Sequence, residues 1–388
     1  VSRVLLPAGT GRVSFANSVV TYFVMISQLG IPTYGIRACA VVRDNPVKLK
    51  KTVYELFIIN VFMSILAYVV FFIAMASVPR LRADRNLFLI TSTLIFFNTI
   101  GVEWLYKALE QYTYITVRSI IFKFVALIAM FVLVRDADDY VIYGGISIFA
   151  ASASNVFNFL RLRKILGKRK VSGLNLRRHF KPVFTFFIIS CATTIYTNLD
   201  NVMLGFMKDD IEVGYYNAAT KIKNILVSIV TSLGTVLMPR AAYYIEQEMW
   251  EKFYKLSKKA IKFVLIAATS MMIYFMIYAR EGVLFLSGDA FEGAVIPMII
   301  VMPTLLFIGL TNIMGIQMLI PMGLENAVMI STFAGAIADL ILNAILIPFF
   351  GSAGAAIGTL VAEFIVFIVQ MVYLKNDIAY LYSKQNYI

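Results

Sequence analysis

One histidine and two cysteines in 388 residues leave little of the side-chain chemistry on which most enzymes depend. No GxxxxGK[ST], GxSxG or HExxH pattern is present, and with His179 alone the usual catalytic triads and most metal sites are unavailable. The chain therefore reads as a non-enzyme with no cofactor and no metal. Cys39 and Cys191 lie in or beside apolar segments without CxxC or metal spacing, so both are expected to be buried bystanders. Charge is also scarce. Only 15% of residues are Asp, Glu, Lys or Arg, against about 25% in soluble domains. Acidic residues are fewest: 22, against 35 Lys and Arg, for a net charge of +13.

What fills the chain is hydrocarbon. Sixty per cent of the residues are hydrophobic, which requires lipid rather than water as the main solvent. A span needs roughly 20 apolar residues to cross a core of about 30 Å. Such runs occur at 12–36, 54–77, 87–108, 113–134 and 140–162, then at 182–206, 213–239, 260–286, 293–319, 325–349 and 353–375. They are continuous, whereas a membrane barrel needs alternating segments of about 10 residues, so the fold class is all-α.

Lys and Arg concentrate in alternate loops, from Arg43, Lys48, Lys50 and Lys51 through the dense 161–181 stretch to Lys252, Lys255, Lys258 and Lys259. The positive-inside rule makes that face cytoplasmic. It also explains the net charge without nucleic acid, which is not an expected partner. Asp136-Ala-Asp-Asp139 lies in a short loop on the opposite face, with no domain to hold a sugar donor.

The chain repeats itself. Gly101-Val-Glu-Trp-Leu-Tyr-Lys-Ala-Leu-Glu110 recurs in outline as Gly315-Ile-Gln-Met-Leu-Ile-Pro-Met-Gly-Leu-Glu325. Gly11, Ala16, Arg37 and Ala38 match Gly214, Ala219, Arg240 and Ala241 at one constant offset. Two echoes in the same order predict two homologous halves, as in many transporters. The expected domains are an N-terminal lobe over 1–162, a basic cytoplasmic linker over 163–181, a C-terminal lobe over 182–375 and a cytoplasmic tail over 376–388. Five spans before the linker and six after it predict a further helix upstream of Val1, with six plus six in all.

Ser2-Arg-Val-Leu5, Leu29-Gly-Ile-Pro-Thr-Tyr-Gly-Ile-Arg37, Gly101-Val-Glu-Trp-Leu-Tyr106, Tyr112-Thr-Tyr-Ile-Thr-Val-Arg-Ser119, Ile195-Tyr-Thr-Asn-Leu-Asp-Asn-Val-Met-Leu-Gly205 and Val213-Gly-Tyr-Tyr-Asn-Ala-Ala-Thr-Lys-Ile222 form an ordered set. With Pro239-Arg240, the set resembles the Wzx-type oligosaccharide flippases of the multidrug/oligosaccharidyl-lipid/polysaccharide (MOP) exporter superfamily. The resemblance implies a MATE-like fold of two pseudo-symmetric six-helix bundles with alternating access. It also implies a polyprenyl-(pyro)phosphate-linked glycan as cargo, a bacterial inner membrane as location, and glycosyltransferases and a polysaccharide polymerase as neighbours. Three positions depart from the family pattern: Leu6 where Gly is usual, Ala38 where Glu is common, and Ala108 where Gly is common. Ala38 removes a carboxylate that would stand beside Arg37.

Charged residues inside the spans are the site candidates, because each costs several kcal/mol unless it meets a cavity or a partner. Asp200 and Lys221 lie at similar depth below the outer loop and are expected either to bind anionic cargo or to pin two helices. Lys223 is about 200° around the helix from Lys221 and must point elsewhere. Lys123 is deep in its span and Arg118 shallower, so Lys123 is the cavity candidate and Arg118 is expected to snorkel. Arg12 and Asn17 are read as cavity-lining or interfacial near the outer face. Arg37, Arg240 and Glu103 mark cytoplasmic helix ends, for gating, headgroup anchoring or capping. Asp339 and Glu363 are read as cation-coupling or as buried helix contacts, and His179 as interfacial. A cation-coupled multidrug exporter of the same fold and an integral-membrane glycan polymerase are the alternatives.

Overall fold

The structure, a computed structural model, describes residues 1–167, 173–375 and 377. Helices account for nearly all of it, with no strand among the described residues. Two compact units are distinguished, with boundaries inside the first and tenth helices. The expected 376–388 tail and part of the linker fall outside the described residues.

The first unit comprises Arg3–Leu5 and Arg12–Val202. It holds most of α1 (Ser2–Gln28), then α2 (Ile31–Ala40), α3 (Pro46–Ser77), α4 (Pro79–Ala83), α5 (Arg85–Gly101), α6 (Glu103–Ala108), α7 (Tyr112–Leu133), α8 (Tyr140–Ile148), α9 (Asn155–Leu166) and most of α10 (Arg177–Met207). Local sequence sets the ends. Asn45 caps α3 by accepting the Lys48 backbone N–H at 3.0 Å, and Pro46 occupies the first turn, where a missing N–H costs nothing. Leu6 precedes Pro7 and sits at φ 59°, where glycine would carry no penalty. A non-glycine residue held there costs about 1–3 kcal/mol of local strain. One core cluster joins Ile31, Leu49, Val53, Leu56, Trp104, Leu105, Tyr106 and Val183, tying α2, α3, α6 and α10. A second packs Leu5 on Ala126, Val134 and Ile146. Outward faces remain greasy: Phe62, Ile65, Ile73, Phe124 and Phe131 are exposed, as lipid-facing residues must be.

The second unit comprises Leu6–Gly11 and Met203–Ile388. Its helices are α11 (Asp210–Glu246), α12 (Trp250–Ile277), α13 (Ala279–Ser287), α14 (Val295–Val301), α15 (Thr304–Asn312) and α16 (Glu325–Tyr373). Asp209 caps α11 through the Glu212 N–H at 2.9 Å. At about 1.5 Å per residue α16 would be more than twice the thickness of a hydrocarbon core. It is interrupted at Gly351, φ 55° and ψ −130°, a conformation glycine adopts without strain. The two parts then run back along each other. A Cβ on Gly354 would lie 2.6 Å from Leu346 O, one on Gly358 2.4 Å from Asn343 Oδ1, and one on Gly335 2.5 Å from Val366. Gln370 Nε2 donates to Ser331 Oγ at 3.2 Å further along the same seam. Glu212 closes the bend by accepting the Ser352 N–H at 2.6 Å.

Nine helices among the described residues are long and apolar enough to cross a membrane, and the bent pair Asp289–Val301 and Thr304–Leu319 makes a tenth. With α16 counted as a hairpin the number is eleven, in the places the sequence predicts.

Glycines also set a close crossing in the second unit. A Cβ on Gly11 would stand 1.7 Å from Asp210 O, and one on Gly214 2.2 Å from Pro7 O. Gly11 and Gly214 are equivalent positions in the internal repeat, and Pro7 and Asp210 are equivalent one turn earlier. The contact is therefore reciprocal.

Candidate functional site

Within the first unit a cavity of about 390 Å³ opens between the ends of α2 and α3 and the start of α10. It is lined by Tyr34, Arg37, Ala38, Val41, Val42, Thr52, Arg178, His179, Pro182 and Phe186. Behind its wall lies Glu55, 0% exposed. A carboxylate in that position must be surrounded by donors, and it is. Glu55 accepts the Asn175 backbone N–H at 2.6 Å, Arg178 Nε at 3.0 Å and His179 Nε2 at 2.9 Å. Arg178 Nη2 donates as well to Thr52 Oγ1 at 3.2 Å. Because the carboxylate only accepts, His179 carries its proton on Nε2, and Nδ1 accepts from the Tyr34 hydroxyl at 2.9 Å. His179 is thus buried in a network and is not the interfacial residue its position suggests. These bonds hold the end of the basic linker against α2 and α3.

Within the second unit a smaller cavity of about 160 Å³ is lined by Ser2, Thr10, Asn217, Lys221 and Ser287 on its polar side, and by Ile222, Ile225, Leu286 and Phe291 on its apolar side. Lys221 is its one charged wall residue. An ammonium among hydroxyls and an amide can hold an anion as a point charge with several donors. Asp200 is buried on α10 and belongs to the first unit, whereas Lys221 belongs to the second.

The other candidates fall into distinct settings. Arg12 stands 4.9 Å over the Tyr140 ring and 3.9 Å from Asp84, which accepts the Tyr140 hydroxyl at 3.1 Å. Asn17, further along α1, keeps its Oδ1 buried without a hydrogen bond among the described residues. Lys123 is exposed on α7, beside the exposed Ile120, Ile121 and Phe124. Arg118 does not snorkel. It is 7% exposed, donates to Asn155 Oδ1 at 3.3 Å, and lies 3.9 Å from Glu103, which also pairs with Lys107 at 2.8 Å. Arg240 is exposed and donates to the Tyr244 hydroxyl at 2.9 Å. Asp339 and Glu363 are both buried on the two arms of the α16 hairpin. Asp339 and Asn343 present oxygens to Gly358, and the adjacent Thr359 exchanges a hydrogen bond with Tyr216 at 2.8 Å. No group of three or more His, Cys, Asp or Glu among the described residues is arranged to hold a metal ion.

Glu55, Arg178, Tyr34 and Thr52 were not legible as a site from sequence. The available signal was Glu55 itself, an acid at the second position of an apolar run.

Multi-pass helices, a glycine-seamed hairpin and reciprocal glycine contacts define the fold of a polytopic membrane protein. Two solved structures share it. Lipid II flippase MurJ, in an inward closed conformation, matches with a TM-score of 0.71 at 16% identity, over 95% of this chain and 81% of that one. An inward-facing multidrug resistance MATE family transporter matches with a TM-score of 0.73 at 14% identity, over 100% of this chain and 93% of that one. The chain belongs to the polysaccharide biosynthesis protein family, whose sequence model matches residues 1–245. It is also 25% identical over 384 residues to a protein of Escherichia coli (strain K12) named as an O-antigen transporter, covering 97% of this chain and 91% of its relative.

Proposed function

We propose that this protein is a flippase that carries polyprenyl-(pyro)phosphate-linked oligosaccharide units from the cytoplasmic to the outer leaflet of a bacterial inner membrane, by alternating access. The observation that carries the reading is the match along 97% of the chain to a relative named for O-antigen transport, within a family named for polysaccharide biosynthesis. The multidrug-export alternative is not favoured, since it rests on fold alone.

Such a cargo has a pyrophosphate and sugars that cannot enter hydrocarbon and an isoprenoid tail that will not leave it. A cationic cavity beside lipid suits both. On this reading Lys221 holds the anionic headgroup, and Asp200, Lys123, Arg12 and Asn17 are the further candidates for contact with the cargo. Arg37, Arg240 and Glu103 work at the cytoplasmic helix ends, and Asp339 and Glu363 couple transport to a cation. The lobes on this reading are 1–162 and 182–375, joined by the linker 163–181, and glycosyltransferases and a polymerase act alongside.

The test is transbilayer movement of a polyprenyl-pyrophosphate glycan in proteoliposomes, scored by access of an impermeant glycosidase to the sugar. Movement no faster than in empty liposomes, with efflux of small cations instead, would reject the reading. Lys221→Ala is expected to slow movement about tenfold, the scale of one charge-assisted contact. Lys223→Ala should have a smaller effect, and equal rates for the two variants would remove Lys221 from the site.

A further inference from the structure

We propose that the cavity walled by Arg37 and Arg178 binds the phosphate of a lipid, at a site separate from the one at Lys221. The argument begins with charge. Arg178 is already matched by Glu55 behind the wall, with its Nε and Nη2 committed there and to Thr52. Arg37 is exposed in the same cavity, whose lining holds no carboxylate. Its neighbour Ala38 lines the cavity too and offers no carboxylate. The wall therefore carries one uncompensated guanidinium, whose planar fork suits phosphate oxygens.

The rest of the lining says what the phosphate is attached to. Val41, Val42, Pro182 and Phe186 make the remaining wall apolar, which favours a phosphate bearing hydrocarbon over a free anion. A volume of about 390 Å³ is larger than one phosphate and lies in the range of small-ligand cavities. The site lies at the ends of α2 and α3, beside Arg43, Lys48 and Lys51, on the face that the basic loops mark as cytoplasmic, where headgroups lie. Two sources share this chemistry: an anionic phospholipid and the polyprenyl pyrophosphate of the cargo. The second rests on the flippase reading.

The whole protein, purified in detergent, would be titrated by native mass spectrometry with farnesyl pyrophosphate, dioleoyl phosphatidylglycerol, farnesol and inorganic pyrophosphate. Arg37→Gln removes the cation without touching the Glu55 network, and Ala38→Glu supplies the missing carboxylate. At least one phosphate lipid should bind the wild type, and each variant should weaken it about tenfold. Preference for farnesyl pyrophosphate would identify the cargo as occupant, and preference for phosphatidylglycerol the bulk lipid. The proposal is overturned if neither phosphate lipid binds, if both variants bind like wild type, if farnesol binds as well as its pyrophosphate, or if inorganic pyrophosphate matches the lipids. Glycan movement in liposomes is scored in parallel. A wild type that flips but binds no phosphate lipid rejects this site and leaves the flippase reading standing. Arg37-dependent binding in a protein that does not flip does the reverse.

Discussion

Replacing Gly214 by leucine is expected to prevent accumulation of folded protein. The added Cβ would lie 2.2 Å from Pro7 O, 2.7 Å from Pro7 C and 2.9 Å from Pro7 Cα, all backbone atoms that cannot rotate aside. On the other helix, a Cβ on Gly11 would meet Asp210 O at 1.7 Å and Gly214 N at 2.9 Å. Either substitution must part α1 and α11 by more than an ångström. In lipid there is little hydrophobic drive to hold helices together, so close backbone approach between small residues supplies most of the attraction at such a crossing. Overpacking of this kind costs about 1–3 kcal/mol in cores that can adjust, and more where backbone blocks adjustment. Gly214→Leu and Gly11→Leu should therefore be lost from the monodisperse peak in fluorescence-detected size exclusion. Gly282→Ala is the control, because its Cβ would meet only Met298 Cε at 3.7 Å. A Gly214→Leu protein that elutes and melts like wild type would mean that the two helices are not in contact there.

The second large effect is expected at Glu55. Glu55→Ala would strip the acceptor from a backbone N–H, a guanidinium and an imidazole at once. Breaking a buried ion pair costs about 3–5 kcal/mol, but Arg178 is half-exposed and can rehydrate, so about 2–3 kcal/mol is the expected loss. It should appear as a lower Tm in detergent and as faster proteolysis near Asn175, because the carboxylate is what holds that segment down. Glu55→Gln retains one acceptor oxygen and should fall between wild type and alanine. If Glu55→Ala melts at the wild-type temperature, the network does not stabilise the fold.

The spans were readable because a hydrocarbon core imposes a length on every crossing, and eleven apolar runs met it. The echo at Gly101 and Gly315 was readable as repetition, and the structure gives it a physical basis. A Cβ on Gly101 would press on the Asn155 amide, and one on Gly315 on the Gln370 amide. What the sequence withheld was azimuth. Counting residues from a helix end places Lys123 deeper than Arg118, but five residues turn the helix by about 140°, and depth does not say which face is inside. Arg118 proved to be the buried one. The linker hid its site for a related reason. Arg177, Arg178, His179 and Lys181 look alike as a charged run, and only the fold selects Arg178 and His179 to turn onto Glu55. Of the candidate site residues, Lys221 lines the cavity of the second unit and Arg37 that of the first, and counting residues along the chain does not show which side chains line a cavity.

The Gly11 and Gly214 crossing has the form of an isologous interface, in which residue i of one copy meets residue j of the other and the reverse also holds. Two separate copies of a half-length ancestor would make this contact across a dyad, and any change of that glycine would then be felt twice. Covalent joining of the copies turns the pair into two independent genetic positions. Each side of the crossing can then be altered singly, which leaves room for an asymmetric feature such as the Lys221 cavity on one side.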